Sequence, residues 1–375
     1  MSIYLLLAVG LTLGAVEEYI NRKTNKLLFV VFFVALTFLL AFRYGQGTDY
    51  FLYENIYNII SKQKLSVAIK SAYFQVEIGW RILNWMCSRL GMNFEVFILI
   101  LSTVQMYFLW RFVRQYCPLK MVALLLAYPT LYLTYMRSAI RQSIVICLFL
   151  GVLIEKLLQK KYFSYVIGCF ILSSIHNMAF ILIIIPIIVN EKAISINKIV
   201  SCSLIAIILG GLNYFSFFHN LLLTVMPRLA YYIKETKISW FALMERCFTT
   251  ILVLYATLFY LNKKKEDNET KKILQIYMFG FYLYLVLMPY SIAASRLIYA
   301  FKCLEICLLS KVLLHDKKTS SLVIFYVIFL CILMYIKNIN SYIELGPYIN
   351  GINVFNYPYV SIYNKQKIFQ YRIVH

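Results

Sequence analysis

Apolar runs long enough to cross a lipid bilayer recur along the whole of this 375-residue chain. A helix needs about 20 predominantly apolar residues to span the hydrocarbon core. Hydropathy indicates about twelve spans, several of them short. They cover residues 3–18, 27–42, 94–113, 119–136, 139–158, 162–175, 177–190, 196–212, 247–262, 272–289, 297–314 and 321–337. This pattern predicts an all-α, polytopic transmembrane helical bundle, with residues 1–375 in a single integral membrane domain.

The composition supports this class of protein. Hydrophobic residues make up 62% of the chain and charged residues only 14%, whereas a soluble domain averages about half and about a quarter. The formal net charge is +21, but the basic residues lie between apolar runs. We therefore expect them to set the topology or to contact anionic lipid head groups, and we expect no nucleic-acid partner.

Cofactor and metal motifs are not evident in the sequence. The nine cysteines lie almost entirely inside apolar runs, where they are expected to act as small buried side chains. No histidine or second cysteine pair completes a metal-ligand set, and no nucleotide-binding glycine motif occurs. We therefore expect neither a metal nor a cofactor.

The short loops predict the orientation in the membrane. Those that follow the odd-numbered spans are rich in lysine and arginine, and the positive-inside rule assigns them to the cytoplasm. Both termini are then extracytoplasmic. The first apolar run lacks a basic leader and a small-residue cleavage site, so we expect it to be retained as a span.

Three longer segments then lie on the outer side, at residues 43–93, 213–246 and 338–375. The last is rich in Tyr, Asn, Gly and Pro, which predicts an irregular tail close to the membrane surface. The runs 162–175 and 177–190 are short enough to form either two spans or one kinked or re-entrant element.

Part of the first outer segment has the pattern of an amphipathic helix. Its apolar residues recur at helical spacing, which suits a helix that lies in the membrane interface or docks on the bundle. These residues are Ile78, Ile82, Trp85, Met86 and Leu90.

Arginine dominates the polar residues of the outer face. A guanidinium group matches phosphate oxygens in bidentate geometry and keeps its charge in a poorly hydrated site. An outward cavity lined by arginine therefore suits a polyanion at the membrane edge, such as a lipid diphosphate. The outer polar residues are Arg43, Asp49, Glu77, Arg81, Arg137, Arg141, Gln142, His176, Asn177, Arg228, Arg246 and Arg296.

Three of these arginines lie at short outer turns, where the positive-inside rule disfavours them: Arg137, Arg141 and Arg296. On a continuous helix, Arg137 and Arg141 would lie on one face, one turn apart. Two like charges at that spacing repel each other unless an anion bridges them. The alternative is a pair of long side chains that reach solvent from a helix end.

His176 and Asp49 are the candidates for proton transfer. His176 lies between two apolar runs in "SSIHNMAF", where it is either a general base or a buried partner in an interhelical hydrogen bond. Asp49 follows Gly45 and Gly47 and precedes a helical pattern. It is therefore either the N-cap of that helix or a partner for sugar hydroxyls or an arginine.

Tyrosines follow Asp49 at helical spacing, at positions 50, 53 and 57. Tyrosine is expected at the head-group level of a membrane protein, and its ring also suits stacking on a sugar face. The spacing alone does not decide between these two interpretations.

Five blocks of sequence, taken together, resemble the EpsG family. In chain order they are "RYGQGTDYFLYENIY" (43–57), "VEIGWRILNWMCSRLGMN" (76–93), "RSAIRQSIVICLFL" (137–150), "HNMAFILIIIPII" (176–188) and "SRLIYAFKCLEICLL" (295–309). The tail "YPYVSIY" (357–363) is also similar to a family pattern. No block that resembles the family is recognisable in residues 191–250, which would fit a region that varies with the sugar.

The resemblance implies a Wzy-like polymerase of exopolysaccharide or O-antigen in the bacterial plasma (inner) membrane. Such an enzyme transfers a polyprenyl-diphosphate-linked oligosaccharide chain onto another lipid-linked repeat at the outer leaflet. The implied partners are these lipid-linked oligosaccharides and membrane lipids, and the family also allows a chain-length regulator. Because paired acidic residues are scarce on the outer face, we expect the diphosphate to be handled without a metal.

The resemblance and the polar residues together suggest roles. Arg137, Arg141 and Arg296 would stabilise the departing diphosphate, and His176 would be the general base, with Asp49 or Glu77 as alternatives. The residues expected to bind substrate are Arg43, Glu77, Arg81, Gln142, Arg228, Arg246, Tyr53 and Tyr299.

Two other functions remain open from the sequence. An O-antigen ligase would use the same outer arginines and histidine. A flippase or other transporter for lipid-linked sugars would place charged residues near the middle of the membrane, whereas most polar residues here cluster at one face.

Overall fold

The computed structural model describes residues 2–70, 76–189, 195–212, 220, 238–315, 317–345 and 351–368. These residues are predominantly helical, which confirms the all-α prediction. Among them, the only extended pairing outside the helices is a single bridge between Arg43 and Ser361. Arg228 and most of the predicted outer loop 213–246 lie outside the described residues.

The N-terminal half contains ten α-helices among the described residues. They are α1 (Ile3–Asn21), α2 (Lys26–Ala41), α3 (Tyr50–Ser61), α4 (Leu65–Lys70), α5 (Ile78–Arg89), α6 (Phe94–Tyr116), α7 (Lys120–Ala127), α8 (Ile140–Leu148), α9 (Ile154–Leu158) and α10 (Tyr162–Ser173). Two π-helical segments, Tyr128–Met136 and Phe149–Leu153, continue α7 and join α8 to α9. A 3₁₀ helix, Asn177–Ile184, follows α10.

The remaining described helices follow in the second half. They are α11 (Ile185–Ile188), α12 (Ile196–Leu212), α13 (Trp240–Lys263), α14 (Asn268–Leu287), α15 (Ser291–Lys302), α16 (Glu305–His315) and α17 (Lys317–Leu345). Most predicted spans correspond to a helix with shifted ends. The predicted span 297–314 is instead split between α15 and α16, and residues 338–345 are helical rather than irregular.

Four described helices are long and apolar enough to cross a membrane: Ile3–Asn21, Phe94–Tyr116, Trp240–Lys263 and Ser320–Glu344. Several other apolar helices are shorter. The protein is therefore an integral membrane protein, while the number of about twelve spans stays a prediction.

The chain divides into two compact units, one of Met1–Phe180 with Lys317–His375 and one of Ile181–Asp316. The prediction of a single domain over residues 1–375 stays a prediction. In the first unit α1 packs on α7, α2 packs on α6, and α17 packs on the π-helix Tyr128–Met136. In the second unit α14 packs on α12 and α15, and α13 packs on α16.

A buried carboxylate fixes the start of α7. Both oxygens of Glu18 accept backbone N–H groups from the first turn of that helix, at Lys120, Met121 and Val122. These N–H groups have no partner within the helix and carry the positive end of its dipole. An acidic residue inside the first apolar run therefore holds α1 against α7.

The amphipathic segment forms α5 as predicted, but the predicted apolar stripe is not its packed face. Trp80 and Asn84 are the buried residues of α5, whereas Ile78, Met86 and Leu90 are exposed. Tyr50, Tyr53 and Tyr57 of α3 are buried in a core with Trp80 and aromatic residues of α6. These tyrosines therefore build the core of the first unit.

The tail returns to the N-terminal helices. The Ser2 backbone N–H donates to the Phe355 carbonyl at 2.6 Å, and the Tyr44 N–H donates to the Val360 carbonyl at 2.9 Å. The Ile362 N–H donates to the Phe42 carbonyl at 3.0 Å. Residues 351–368 thus pack against the start of α1 and the turn that follows α2.

Candidate functional site

An ion pair between Arg141 and Glu77 lies at the centre of the candidate site in the first unit. Arg141 is in the first turn of α8, and Glu77 occupies the N-cap position of α5. The Arg141 Nη1 donates to Glu77 Oε2. The two side chains remain 17% and 10% exposed, so the pair is only partly removed from solvent. We call the group formed by Tyr53, Glu77, Arg141, His176 and Asn177 the Arg141 site.

Glu77 also connects α5 to the 3₁₀ helix. Its Oε1 accepts the backbone N–H of Asn177 at 3.1 Å. Close packing makes this contact possible, because the N–H groups of Gly79 and Trp80 both donate to the Ser174 carbonyl. A Cβ on Gly79 would lie 2.2 Å from Ser174 Oγ, so only glycine allows this approach.

Tyr53 supports the guanidinium of Arg141 from α3. The Arg141 Nε lies 3.5 Å from the Tyr53 hydroxyl oxygen. The guanidinium carbon is 5.9 Å from the ring centre of Tyr53. The structure therefore brings together three of the predicted site residues: Tyr53, Glu77 and Arg141.

His176 directly precedes Asn177, whose backbone N–H donates to Glu77. Its Nδ1 accepts the N–H of Met178 at 3.2 Å. When Nδ1 of a neutral imidazole accepts a hydrogen bond, the proton is on Nε2, which is then a donor. The contact favours a hydrogen-bond donor at His176, whereas the predicted general base requires a free acceptor nitrogen.

Asp49 occupies the N-cap position of α3 without capping it. Its side chain makes no hydrogen bond to the first turn of the helix. One carboxylate oxygen accepts the Thr48 hydroxyl at 3.0 Å, and the Thr48 N–H donates to Ser138 Oγ at 3.1 Å. Asp49 is partly exposed, and the residue before it, Thr48, is hydrogen-bonded to the turn between the π-helix and α8.

Arg137 lies in a buried group of tyrosines that we call the Arg137 box, formed by Arg137, Tyr4, Tyr342 and Tyr357. The guanidinium carbon is 4.5 Å from the ring centre of Tyr4, 5.3 Å from that of Tyr342 and 5.6 Å from that of Tyr357. Arg137 is only 1% exposed. Cation–π contacts of this kind stabilise a guanidinium that has lost its hydration.

The prediction that Arg137 and Arg141 share one helical face is wrong. Arg137 ends the π-helix, Ala139 leaves the helical conformation with φ −86° and ψ 61°, and α8 begins at Ile140. The helix break sends one arginine into the tyrosines and the other towards Glu77.

Arg43 is also buried, and it connects three helical elements. Its Nη1 donates to the Leu40 carbonyl and to Ser102 Oγ, and its Nη2 donates to the Met136 carbonyl at 3.2 Å. Burial, together with the nearby Arg137 charge, lowers the pKa of Arg43 to about 10, so the side chain stays a cation at neutral pH. These contacts favour a structural role over the predicted role in substrate binding.

The described part of the chain contains five further predicted residues, Arg81, Gln142, Arg246, Arg296 and Tyr299, whereas Arg228 lies outside it. Arg81 donates to the Ile69 carbonyl at 2.8 Å, and Gln142 is buried in α8. In the second unit, Arg296 is exposed and Tyr299 is buried, both on α15. Arg246 on α13 lies 5.7 Å from the ring centre of Tyr284. Whether Arg296 acts with Arg141 stays a prediction.

A charged network in the second unit was not predicted. Lys302 Nζ contacts Glu245 Oε1 at 2.7 Å, and the Tyr277 hydroxyl donates to Glu305 Oε1 at 3.1 Å. Lys302 is the last residue of α15, and Glu305 is the first residue of α16. Each charge is opposite in sign to the partial charge of its helix end, so the helix dipole stabilises it. This network could have been suspected from the sequence, because charged residues occur inside the apolar block 295–309.

Metal ligands do not cluster in the described part of the chain. There, no group of three or more His, Cys, Asp or Glu side chains is arranged to hold a metal ion.

The fold and the site define an integral membrane protein in which an arginine–glutamate pair lies where several helices begin or end. Residues 26–361 match the sequence profile of the EpsG family, and the chain belongs to that family. The family indicates a polysaccharide-polymerase type of function. No curated protein and no solved structure matches the chain.

Proposed function

We propose that this protein polymerises polyprenyl-diphosphate-linked oligosaccharide repeat units at the outer leaflet of the bacterial plasma membrane. The acceptor hydroxyl attacks the anomeric carbon of the donor chain. The bond between that carbon and the diphosphate oxygen breaks, and the diphosphate leaves on its lipid. The partly exposed Arg141–Glu77 pair, in a member of the EpsG family, is the observation that supports this proposal.

Arg141 stabilises the leaving group in this mechanism. Negative charge on the diphosphate grows as the glycosidic bond breaks, and a positioned guanidinium stabilises that charge more in the transition state than in the ground state. Glu77 holds the guanidinium in place when no substrate is bound. Tyr53 restricts its rotation from the other side.

Asp49 accepts the proton of the acceptor hydroxyl. Both oxygens of Glu77 are already engaged, by Arg141 and by the Asn177 N–H. The His176 Nδ1 accepts the Met178 N–H. Asp49, in contrast, accepts one described hydrogen bond, from Thr48, and is partly exposed. His176 then donates from Nε2 to a sugar or phosphate oxygen.

The Arg137 box and Arg43 support the site from within the protein. Arg137 lies at the end of the π-helix, directly before Ser138 and the first turn of α8. The packing of Arg137 therefore helps to fix the position of Arg141 in that turn. Arg246, Arg296 and Tyr299, which lie in the second unit, stay predicted substrate-binding residues. The topology that goes with this proposal has about twelve spans and both termini outside.

The test is chain extension by the purified, reconstituted protein on a lipid-diphosphate-linked repeat unit, with and without a chelator. Extension is expected with the wild-type protein in both conditions. Arg141→Ala should lose it, whereas Arg111→Ala should not, because Arg111 on α6 forms a similar ion pair with Glu155 of α9 and is not a member of the Arg141 site. Equal chain lengths from all three proteins would refute the assignment of Arg141. Loss of activity on chelation, restored by Mg²⁺, would refute a metal-independent reaction.

Two further variants separate the roles of Asp49 and His176. Asp49→Asn removes the proton acceptor and should lower the rate about 10²–10⁴-fold. His176→Gln keeps an N–H donor but has no basic nitrogen, so it should retain much of the activity. If His176→Gln is inactive while Asp49→Asn is active, His176 is the base, as the sequence first suggested.

A further inference from the structure

A small cavity opens in the second unit at the charged ends of α13 and α16. Its volume is about 100 Å³. Ala256, Phe259 and Val312 form its apolar part, and Lys263, Lys264 and His315 supply its ionisable groups. The remaining lining residue, Tyr260, is tilted against His315 with ring centres 5.2 Å apart. The cavity thus combines an apolar floor with a basic rim and has no acidic lining residue.

The nearest acidic groups are already bound by other residues. Asp267 accepts hydrogen bonds from the Thr270 N–H and hydroxyl and from the Tyr260 hydroxyl. Lys311 Nζ contacts Glu269 Oε1 at 2.8 Å and lies 3.9 Å from Asp267 Oδ2. Burial and the nearby Lys264 charge lower the pKa of His315, as expected where cationic groups converge.

An exposed apolar stripe on α13 leads into the cavity. Phe248, Ile251 and Tyr255 are each at least half exposed, and they recur at intervals of three or four residues. Phe259 continues this stripe into the cavity, and Lys263 Nζ lies 4.6 Å from the Phe259 ring centre. Residues at this spacing share one helical face, so the stripe ends at a cationic group.

We propose that the cavity binds the phosphate head group of an anionic membrane phospholipid whose acyl chains lie along the stripe on α13. Pockets for whole small molecules measure about 300–1,000 Å³, so a cavity of about 100 Å³ accommodates only a head-group-sized part of a ligand. The apolar floor and the adjoining stripe favour a phosphate carried by an amphiphile over a soluble phosphate. The rim lysines supply the complementary charge, and the imidazole of His315 adds a hydrogen-bonding group.

The test measures lipid retention by the full-length protein. Protein reconstituted with equal amounts of phosphatidylglycerol and phosphatidylcholine of matched chain length is extracted, and the bound lipids are counted by native mass spectrometry. The wild-type protein should retain phosphatidylglycerol preferentially. Replacing Lys263 and Lys264 by Gln should weaken retention about fivefold for each lysine, since a basic residue near an anionic lipid surface contributes about 1 kcal/mol.

The matched control replaces Lys265, in the loop after α13, and Lys271, on α14, by Gln, which removes the same charge without touching the cavity lining. This double variant should retain the lipid as the wild-type protein does. An equal loss in both double variants would overturn the proposal, because the attraction would then be a general effect of surface charge.

A second pair of measurements tests the apolar part and the source of the phosphate. Ile251→Ser with Tyr255→Ser leaves every charge in place and alters only exposed side chains, and it should also reduce retention. Inorganic phosphate added in millimolar amounts should not displace the lipid. Unchanged retention in the serine variant, or displacement by inorganic phosphate, would overturn a lipid site.

Discussion

Arg137 and Arg141 are four residues apart in the sequence and lie in opposite environments. Arg137 is almost fully buried among three tyrosines that come from α1, α17 and the tail. Arg141 is partly exposed and pairs with Glu77. The contrast favours a structural role for the first guanidinium and leaves the second partly accessible to a ligand.

Exposure explains why the two arginines should respond differently to a ligand. A diphosphate that approaches Arg141 competes with Glu77, which is itself partly solvated. To reach Arg137 it would have to displace a shell of tyrosines held by the backbone of the tail and of α1. The helix break at Ser138 and Ala139 therefore places one residue type in two environments.

The largest expected effect separates activity from stability at the two arginines. Arg141→Ala should lower the polymerisation rate about 10²–10³-fold with little change in the melting temperature, because one charge-stabilising donor is lost from a partly exposed position. Arg137→Ala should instead destabilise the protein by about 2–4 kcal/mol, because it leaves a cavity among tyrosines that lose their cation–π partner. Reconstituted activity and thermal unfolding of both variants make the comparison.

The reverse result would break this interpretation. If Arg137→Ala keeps the wild-type melting temperature and loses polymerisation, Arg137 contacts substrate through a conformation in which the box opens. If Arg141→Ala alone unfolds the protein, the ion pair with Glu77 is structural.

Substitutions at two glycines test whether close packing against the Arg137 backbone supports the Arg137 box. Gly47 has φ +109°, and a Cβ there would lie 2.2 Å from the Arg137 carbonyl oxygen. Gly47→Ala should therefore cost the conformational strain of about 1–2 kcal/mol plus a clash. Gly351→Ala, at φ +104° with no atom of the described residues within 4 Å of its Cβ, should cost only the strain. Melting temperatures measured side by side should rank wild type above Gly351→Ala and Gly47→Ala lowest; equal losses would mean that the clash relaxes freely.

Glu77→Gln sharpens the role of the ion pair in the Arg141 site. The amide can still accept the Asn177 N–H, but it no longer neutralises the guanidinium. We expect kcat to fall about tenfold because Arg141 is less well oriented, while KM for the lipid-diphosphate donor stays unchanged or falls because a competing carboxylate is gone. A rise in KM at constant kcat would indicate that Glu77 binds sugar directly.

The smallest expected effect is on the stability of the protein at alkaline pH, through Tyr359, which lies near the Arg137 charge. Burial raises the pKa of Tyr359 to about 12, against the opposing effect of the Arg43 and Arg137 charges. A raised pKa in the folded protein favours the neutral phenol, so its contribution to stability is complete below about pH 10 and is lost as the pH rises towards about 12. Tyr359→Phe should weaken this loss, seen as a smaller drop in melting temperature between pH 8 and pH 11.

For Tyr359→Phe we also predict the stability at neutral pH. The Tyr359 hydroxyl has no hydrogen-bond partner within the described residues. Removing it should leave stability at pH 7 unchanged or slightly improved, because an unsatisfied polar group is lost with it. A clear loss of stability at pH 7 would mean that the hydroxyl makes a contact outside the described part of the chain.

Much of the helical framework could be predicted from hydropathy alone. The predicted span 196–212 coincides with α12, and the ends of α1, α2 and α6 lie within a few residues of the predicted ones. Apolar runs report these helices directly, since a segment in lipid must satisfy its own backbone hydrogen bonds. The break within 297–314 was missed because hydropathy does not record where a helix is interrupted inside the protein.

The candidate site was only partly predictable. Residue type and topology selected Arg141, Glu77, Tyr53 and His176 as polar groups of the outer face. They did not separate Arg141 from Arg43 and Arg137, because burial depends on partners such as Tyr4 and Tyr357 that are distant in the sequence. The His176 tautomer likewise depends on one backbone contact, to Met178.

Hydropathy and residue type are sufficient to establish that this is a helical membrane protein of the EpsG family with arginines near its helix ends. Apolar length and residue type are properties of short stretches of chain, so they are apparent before the chain is folded. Which arginine is enclosed and which is accessible depends on the packing of distant segments. That outcome depends on a helix break and on the return of the tail to α1, and both bring together residues that lie far apart along the chain.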